Sequence, residues 1–91
     1  MNLQEIIERN YQSAVKRVKI TNKTDCSQFA TAIRNEVTEL EMTLSVSKIN
    51  PFDVSELADI ILVSFSMARH FGYDIEKELI KKTLYNEIRK D

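Results

Sequence analysis

Helix-breaking residues are almost absent from this chain. Its 91 residues contain one proline, Pro51, and one glycine, Gly72. A turn-rich all-β protein needs many more of both, whereas abundant Glu, Lys, Leu, Ile and Ala favour long helices. The composition therefore predicts an all-α protein.

Apolar residues recur at helical spacing in separate segments joined by polar connections. A chain of this length is long enough for one small domain. We therefore predict a single all-α domain over residues 1–91 with the arrangement of a four-helix bundle. The predicted helices cover approximately residues 3–18, 25–46, 51–71 and 74–90.

Residues with capping preferences mark the expected helix boundaries. Asp25 followed by Gln28 has the spacing of a capping box. Pro51 suits the first position of a helix, where its missing N–H is harmless, and Gly72 suits the position just past a helix end. The predicted N-caps are Asp25 or Thr24 for the second helix, Asn50 for the third, with Asp53 in its first turn, and Asp74 for the fourth.

Two pairs of acidic residues lie within the second and third segments. Glu36 and Glu39 form one pair, and Glu56 and Asp59 form the other. Residues three apart project from one helix face, where like charges repel and are costly to desolvate without a cation. Mg²⁺ and Mn²⁺ prefer oxygen ligands, so all four carboxylates are candidate ligands for a divalent ion. The alternative is that each pair belongs to a solvated helix surface.

The order of these pairs resembles a known family, the MazG-like, all-α nucleoside triphosphate pyrophosphohydrolases. A closing segment with the pattern K-x-x-x-N-x-x-R, formed here by Lys82, Asn86 and Arg89, is also similar to that family. The two motifs span roughly the C-terminal two-thirds of the chain. The resemblance implies an enzyme that converts NTP or dNTP to the monophosphate and pyrophosphate, with a housecleaning role in nucleotide pools.

This activity implies roles for the candidate residues. Glu36 and Glu39 are the expected catalytic residues, since one glutamate can accept a proton from the attacking water. All four acidic residues would bind Mg²⁺, with Mn²⁺ as a substitute. Lys82 and Arg89 would supply positive charge to the polyphosphate, and Asn86 would hold the phosphate or sugar. The alternative for Lys82 and Arg89 is ordinary cationic charge at a helix C-terminus.

Charge and hydropathy restrict the partners. The formal net charge is −1, with acids and bases mixed along the chain, so binding to a nucleic-acid polymer is not expected. No apolar run approaches the ~20 residues that span a bilayer, so no membrane attachment is expected. The lone Cys26 and an N-terminus without signal-peptide character favour the cytoplasm.

The first and third predicted helices have apolar surfaces wider than one small domain can cover. We therefore expect a homodimer or a dimer of dimers, with the nucleotide cleft bounded by helices of neighbouring chains. Two non-enzymatic alternatives remain open: a helical interaction or regulatory module, and a degenerate relative that binds nucleotide without turnover. The single histidine, His70, is expected to cap or pack at the end of the third helix.

Overall fold

The fold is known from a computed structural model that describes residues 1–46 and 53–91, with side chains for residues 1–44 and 53–91. These residues form four helices and no strand, which confirms the all-α prediction for the described part of the chain. None of the described helices has both the length and the apolar character needed to cross a membrane. The helices are α1 (Leu3–Lys16), α2 (Cys26–Val46), α3 (Val54–His70) and α4 (Ile75–Ile88).

Side-chain caps begin the helices. Asn2 caps α1, and Asp74 caps α4 as predicted. The capping box before α2 uses Asp25 and not Thr24: the Gln28 N–H donates to Asp25 Oδ1 at 2.8 Å, and the Asp25 N–H donates to Gln28 Oε1 at 2.8 Å. Two of the backbone N–H groups at this helix start are therefore satisfied by local side chains.

The start of α3 differs from the prediction. The helix begins at Val54, and Asp53 is its N-cap, whose Oδ1 accepts a hydrogen bond from the Ser55 N–H at 2.9 Å. Asn and Asp are about equally good N-caps, so the sequence offered two equivalent starts. The roles predicted for Asn50 and Pro51 lie outside the described residues.

Gly72 ends α3 as predicted. It has a φ of 79°, in the left-handed region that glycine adopts without steric cost. The Tyr73 N–H donates to the Ala68 carbonyl at 2.9 Å and the Gly72 N–H to the Arg69 carbonyl at 3.2 Å. This pair of hydrogen bonds is a Schellman motif, which satisfies the last carbonyls of the helix.

The end of α1 follows the same pattern without a glycine. The prediction that this helix continues to Val18 is wrong, because it ends at Lys16 and Val18 has a φ of 59°. The Val18 N–H donates to the Val15 carbonyl at 3.0 Å, and the Lys19 N–H donates to the Ala14 carbonyl at 2.9 Å. A β-branched residue is strained in this conformation, so the residue type gave no signal for a helix end here.

α3 is the central helix, because it packs against α1, α2 and α4. Between α1, the α1–α2 loop and the start of α2 lies a small apolar core, with Tyr11 and Met67 packed against it. Among the described residues, those with the least exposed side chains are Ile7, Ala14, Ile20, Phe29 and the polar Ser66.

The apolar side of α4 is not buried by the part of the chain that the structure describes. Ile80 is 57%, Leu84 is 58% and Ile88 is 79% exposed. Among the described helices α4 packs against α3, and Gln4 Nε2 donates to Glu76 Oε1 at 2.8 Å near its start. The spacing of apolar residues predicts which helix face is apolar, but a second element must be present to cover that face.

His70 joins three parts of the fold. Its Nε2 lies 3.0 Å from the Thr24 carbonyl oxygen, and its Nδ1 lies 2.8 Å from the Tyr11 hydroxyl. A carbonyl can only accept, so in the neutral ring Nε2 carries the proton and Nδ1 accepts from the tyrosine. Its ring also packs against Phe29 and Phe71 at centroid distances of 5.2 and 4.9 Å. His70 is therefore half-buried and ties α1 and the α1–α2 loop to α3.

Candidate metal centre

The two acidic pairs meet at one point between α2 and α3. Glu36 and Glu39 project from α2, and Glu56 and Asp59 project from α3, which packs beside it. One carboxylate oxygen from each residue lies within 4.8 Å of the others. The i, i+3 spacing places two carboxylates on each helix face, and the packing of the two helices brings the faces together.

Two of these carboxylates are partly removed from water. Glu36 Oε2 and Glu56 Oε2 are inaccessible to solvent and have no hydrogen-bond partner within the described structure. Burial, followed by the negative charges of Glu39 and Asp59, raises the pKa of both Glu36 and Glu56 above the usual value. An unpartnered buried carboxylate oxygen is unfavourable, and a cation would relieve both the desolvation and the repulsion.

The donor set fits a hard divalent ion. All four ligands are carboxylates, and an octahedral Mg²⁺ with oxygen ligands at about 2.1 Å separates those ligands by about 3 to 4.2 Å. The observed upper separation of 4.8 Å requires only small side-chain movements to reach such a geometry. Water or substrate oxygens would complete the coordination, as is usual for Mg²⁺.

The acidic cluster opens into a cleft of about 530 Å³ between α1, α2 and α3. Glu36, Glu39 and Asp59 line one part of the cleft. Its volume lies in the range of small-molecule sites, roughly 300–1,000 Å³. Its apolar lining consists of Ala14, Ile20, Phe29, Ala32, Leu62 and Val63, and its uncharged polar lining of Asn10, Thr24, Asn35 and Ser66.

Two basic residues that the sequence did not single out also line this cleft, namely Arg17 and Lys19. In the sequence Arg17 belongs to the polar side of the first helix and Lys19 to the loop that follows it. Only the turn around Val18, which is not encoded by a glycine, brings both to the cleft. The i, i+3 and i, i+4 spacing of helical residues therefore could not predict that Arg17 and Lys19 line the cleft.

The structure does not bring Lys82, Asn86 and Arg89 to the acidic cluster within one chain. All three are exposed on or just after α4, and they do not line the cleft. Lys82 Nζ lies 5.9 Å from the centroid of the Tyr85 ring, and Arg89 Nε lies 3.9 Å from Asp91 Oδ1. Their substrate role stays a prediction that requires a neighbouring chain.

Comparisons with known proteins add no support to the family resemblance, which therefore depends on the sequence motifs alone. No protein-family model, curated protein or solved structure matches this chain.

Proposed function

We propose that this protein is a Mg²⁺-dependent nucleoside triphosphate pyrophosphohydrolase, with Mn²⁺ as a possible substitute. Water would attack the bond between the α and β phosphorus atoms of an NTP or dNTP, and the products are a nucleoside monophosphate, pyrophosphate and a proton. The observation that carries this proposal is the convergence of four carboxylates, two of which bury an oxygen that has no hydrogen-bond partner among the described residues.

The four carboxylates have the chemistry to hold the metal ion. Glu36 and Glu39 would bind it from α2, and Glu56 and Asp59 from α3. A bound divalent ion supplies charge neutralisation for the phosphates and increases the acidity of a coordinated water. Without a cation, the acidic cluster would repel a polyphosphate, so metal and substrate binding should be coupled.

The carboxylates of α2 would accept the proton from the attacking water. Glu36 and Glu39 line the cleft and are the candidate acceptors of the proton released by the attacking water. The same cleft has apolar walls, which reduce the local dielectric and strengthen the interaction between charges. Positioning and electrostatic stabilisation supply most of the catalysis in reactions of phosphoric anhydrides.

We propose that the working form is a homodimer or a dimer of dimers. The radius of gyration is 15.2 Å, whereas a compact chain of this length has about 12 Å. The exposed apolar residues of α4 support burial against another chain. A neighbouring chain could also bring Lys82, Asn86 and Arg89 to the cleft.

The proposed location is the cytoplasm. The single cysteine, Cys26, is free and exposed. An exposed free thiol is maintained most easily in a reducing compartment, where nucleotide pools are also found. For the proposed activity, the family resemblance implies a role in housecleaning of nucleotide pools.

Incubation with a panel of NTPs and dNTPs in the presence of Mg²⁺, followed by separation of the products, tests the activity. The expected result is monophosphate and pyrophosphate in equal amounts, with loss of activity of at least about 100-fold in Glu56→Gln. Glu41→Gln is the matched control, since Glu41 is exposed on α2 and lies outside the cluster.

Other outcomes favour the alternatives. Stabilisation by Mg²⁺ and a non-hydrolysable nucleotide without product formation would indicate a binder that lacks turnover, since a ligand stabilises only the state that binds it. Neither binding nor turnover would overturn the enzymatic proposal and leave a helical interaction or regulatory module.

A further inference from the structure

Charges of opposite sign line one cleft of this protein. The acidic cluster contributes Glu36, Glu39 and Asp59, and the end of α1 contributes Arg17 and Lys19. Both sets belong to the same chain. The cleft therefore contains a cationic part that does not depend on α4 or on a neighbouring subunit.

The backbone holds both basic residues in place. They flank Val18, whose φ of 59° reverses the chain at the end of α1. The Arg17 N–H donates to the Ser13 carbonyl at 3.1 Å, and the Lys19 N–H donates to the Ala14 carbonyl at 2.9 Å. A strained residue between two cations is retained only when the surrounding structure determines its conformation.

Contacts beyond this turn hold the rest of the loop. Ile20 is buried in the core with Phe29, and the Thr24 carbonyl accepts a hydrogen bond from His70 Nε2 at 3.0 Å. The loop thus joins α1 to α2 with an anchor on each side of its exposed residues. The two basic side chains project from an ordered segment.

Neither basic side chain is neutralised within the described part of the chain. Arg17 Nε donates to the Ser13 carbonyl at 3.3 Å, but neither Arg17 nor Lys19 forms an ion pair with a carboxylate there. By contrast, Arg69 is paired with Glu8. The terminal nitrogens of Arg17 and the ammonium of Lys19 can therefore bind an external anion.

We propose that Arg17 and Lys19 bind the phosphate chain of the nucleotide, opposite the metal ligands of the same chain. This inference rests on the proposed function of the cleft. Arginine offers a fork of donors to phosphate oxygens and lysine offers a mobile point charge. A phosphate chain offers oxygens both to a metal ion at the acidic cluster and to the two basic residues.

The test measures binding of inorganic triphosphate and of an α,β-imido nucleoside triphosphate by calorimetry, each with and without Mg²⁺. Arg17→Gln and Lys19→Gln should each weaken the affinity for both ligands roughly tenfold or more, as expected for loss of a charge-assisted hydrogen bond. The KM for hydrolysis should rise in parallel. Lys16→Gln and Lys23→Gln are the matched controls, because these lysines are exposed neighbours that do not line the cleft.

Unchanged triphosphate affinity in Arg17→Gln and Lys19→Gln would overturn the inference, whether or not the protein hydrolyses nucleotides. Failure of the wild-type protein to bind Mg²⁺ would overturn the proposed function, and failure to bind triphosphate both with and without Mg²⁺ would overturn the role of Arg17 and Lys19 as well. Weakened nucleotide binding with unchanged inorganic triphosphate binding would also count against a phosphate site. Equal melting temperatures of the variants check that the fold is preserved.

Discussion

Glu36 and Glu56 face each other across the α2–α3 interface, and each buries one carboxylate oxygen that has no hydrogen-bond partner within the described residues. Burial and the neighbouring acids raise the pKa of both. The ionised form of each carboxyl group is therefore disfavoured in the metal-free fold. The same property makes the cluster a candidate for divalent cations.

Glu36→Gln should therefore have opposite effects with and without metal. In a chelator, the substitution should raise the melting temperature, because it removes a repelled and partly desolvated charge. With millimolar Mg²⁺, the wild-type protein should gain stability and the variant should gain little. Scanning calorimetry of both proteins, with Glu41→Gln as control, measures this; a metal-free variant less stable than the wild type would contradict the prediction.

The metal-free protein should lose stability as the pH rises through the titration of Glu36 and Glu56. Below the unfolded-state pKa both residues are protonated in both states. Above it the unfolded chain releases its protons first, so the native state binds more protons and stability falls until the raised native pKa is passed. Denaturation in the presence of a chelator, at pH values from acid to neutral, should show this fall in the free energy of unfolding. The double variant Glu36→Gln, Glu56→Gln should lose most of this pH dependence.

The contribution of Glu8 to folding stability should change with pH in the opposite direction. Hydrogen bonds from Arg69 and Gln12 lower the pKa of Glu8, so its stabilisation is present above the unfolded-state pKa and is lost as the pH falls through the lowered value. The pair with Arg69 is about half exposed, so its effect should be small. Glu8→Gln should reduce the loss of stability at acid pH and leave the fall towards neutral pH unchanged.

Tyr11→Phe should destabilise the fold by about 1 kcal/mol, because it removes the hydroxyl that donates to His70 Nδ1. The ring itself would remain packed against the core. Tyr85→Phe is the control, since Tyr85 is 53% exposed on α4. Urea denaturation of the two variants gives the comparison, and equal midpoints would show that the hydrogen bond does not contribute.

Val18→Gly should stabilise the protein by about 1 kcal/mol, because glycine adopts a positive φ without the steric cost that a β-branched residue has. Val15→Gly, one turn earlier within α1, should instead destabilise it by about 1 kcal/mol. Chemical denaturation measures both. A loss of stability in Val18→Gly would mean that the turn is not strained.

Ile80→Glu or Leu84→Glu should convert an oligomer to monomers, because either places a charge on the exposed apolar face of α4. Lys81→Glu on the same helix should leave the assembly unchanged. Sedimentation at micromolar concentration distinguishes these outcomes. A monomeric wild-type protein under those conditions would overturn the proposed assembly.

The predictions from sequence were most accurate where a few neighbouring residues decide the structure. The Asp25–Gln28 box, the Asp74 cap and the Gly72 turn depend on contacts within a few residues, and all are present. They were wrong where residue preference and structure disagree, as at Val18. The predicted start of α3 was wrong because Asn50 and Asp53 have similar capping preferences.

The helices, the carboxylate pairs on each helix face and the apolar stripes could all be predicted from the order of the residues, because they follow from periodicity and local hydrogen bonding. Three features became visible only in the folded chain: the two acidic pairs meet, the apolar face of α4 is exposed, and Arg17 and Lys19 line the cleft. These features depend on how helices pack and on how the chain turns between them, which the spacing of residues within one helix does not specify.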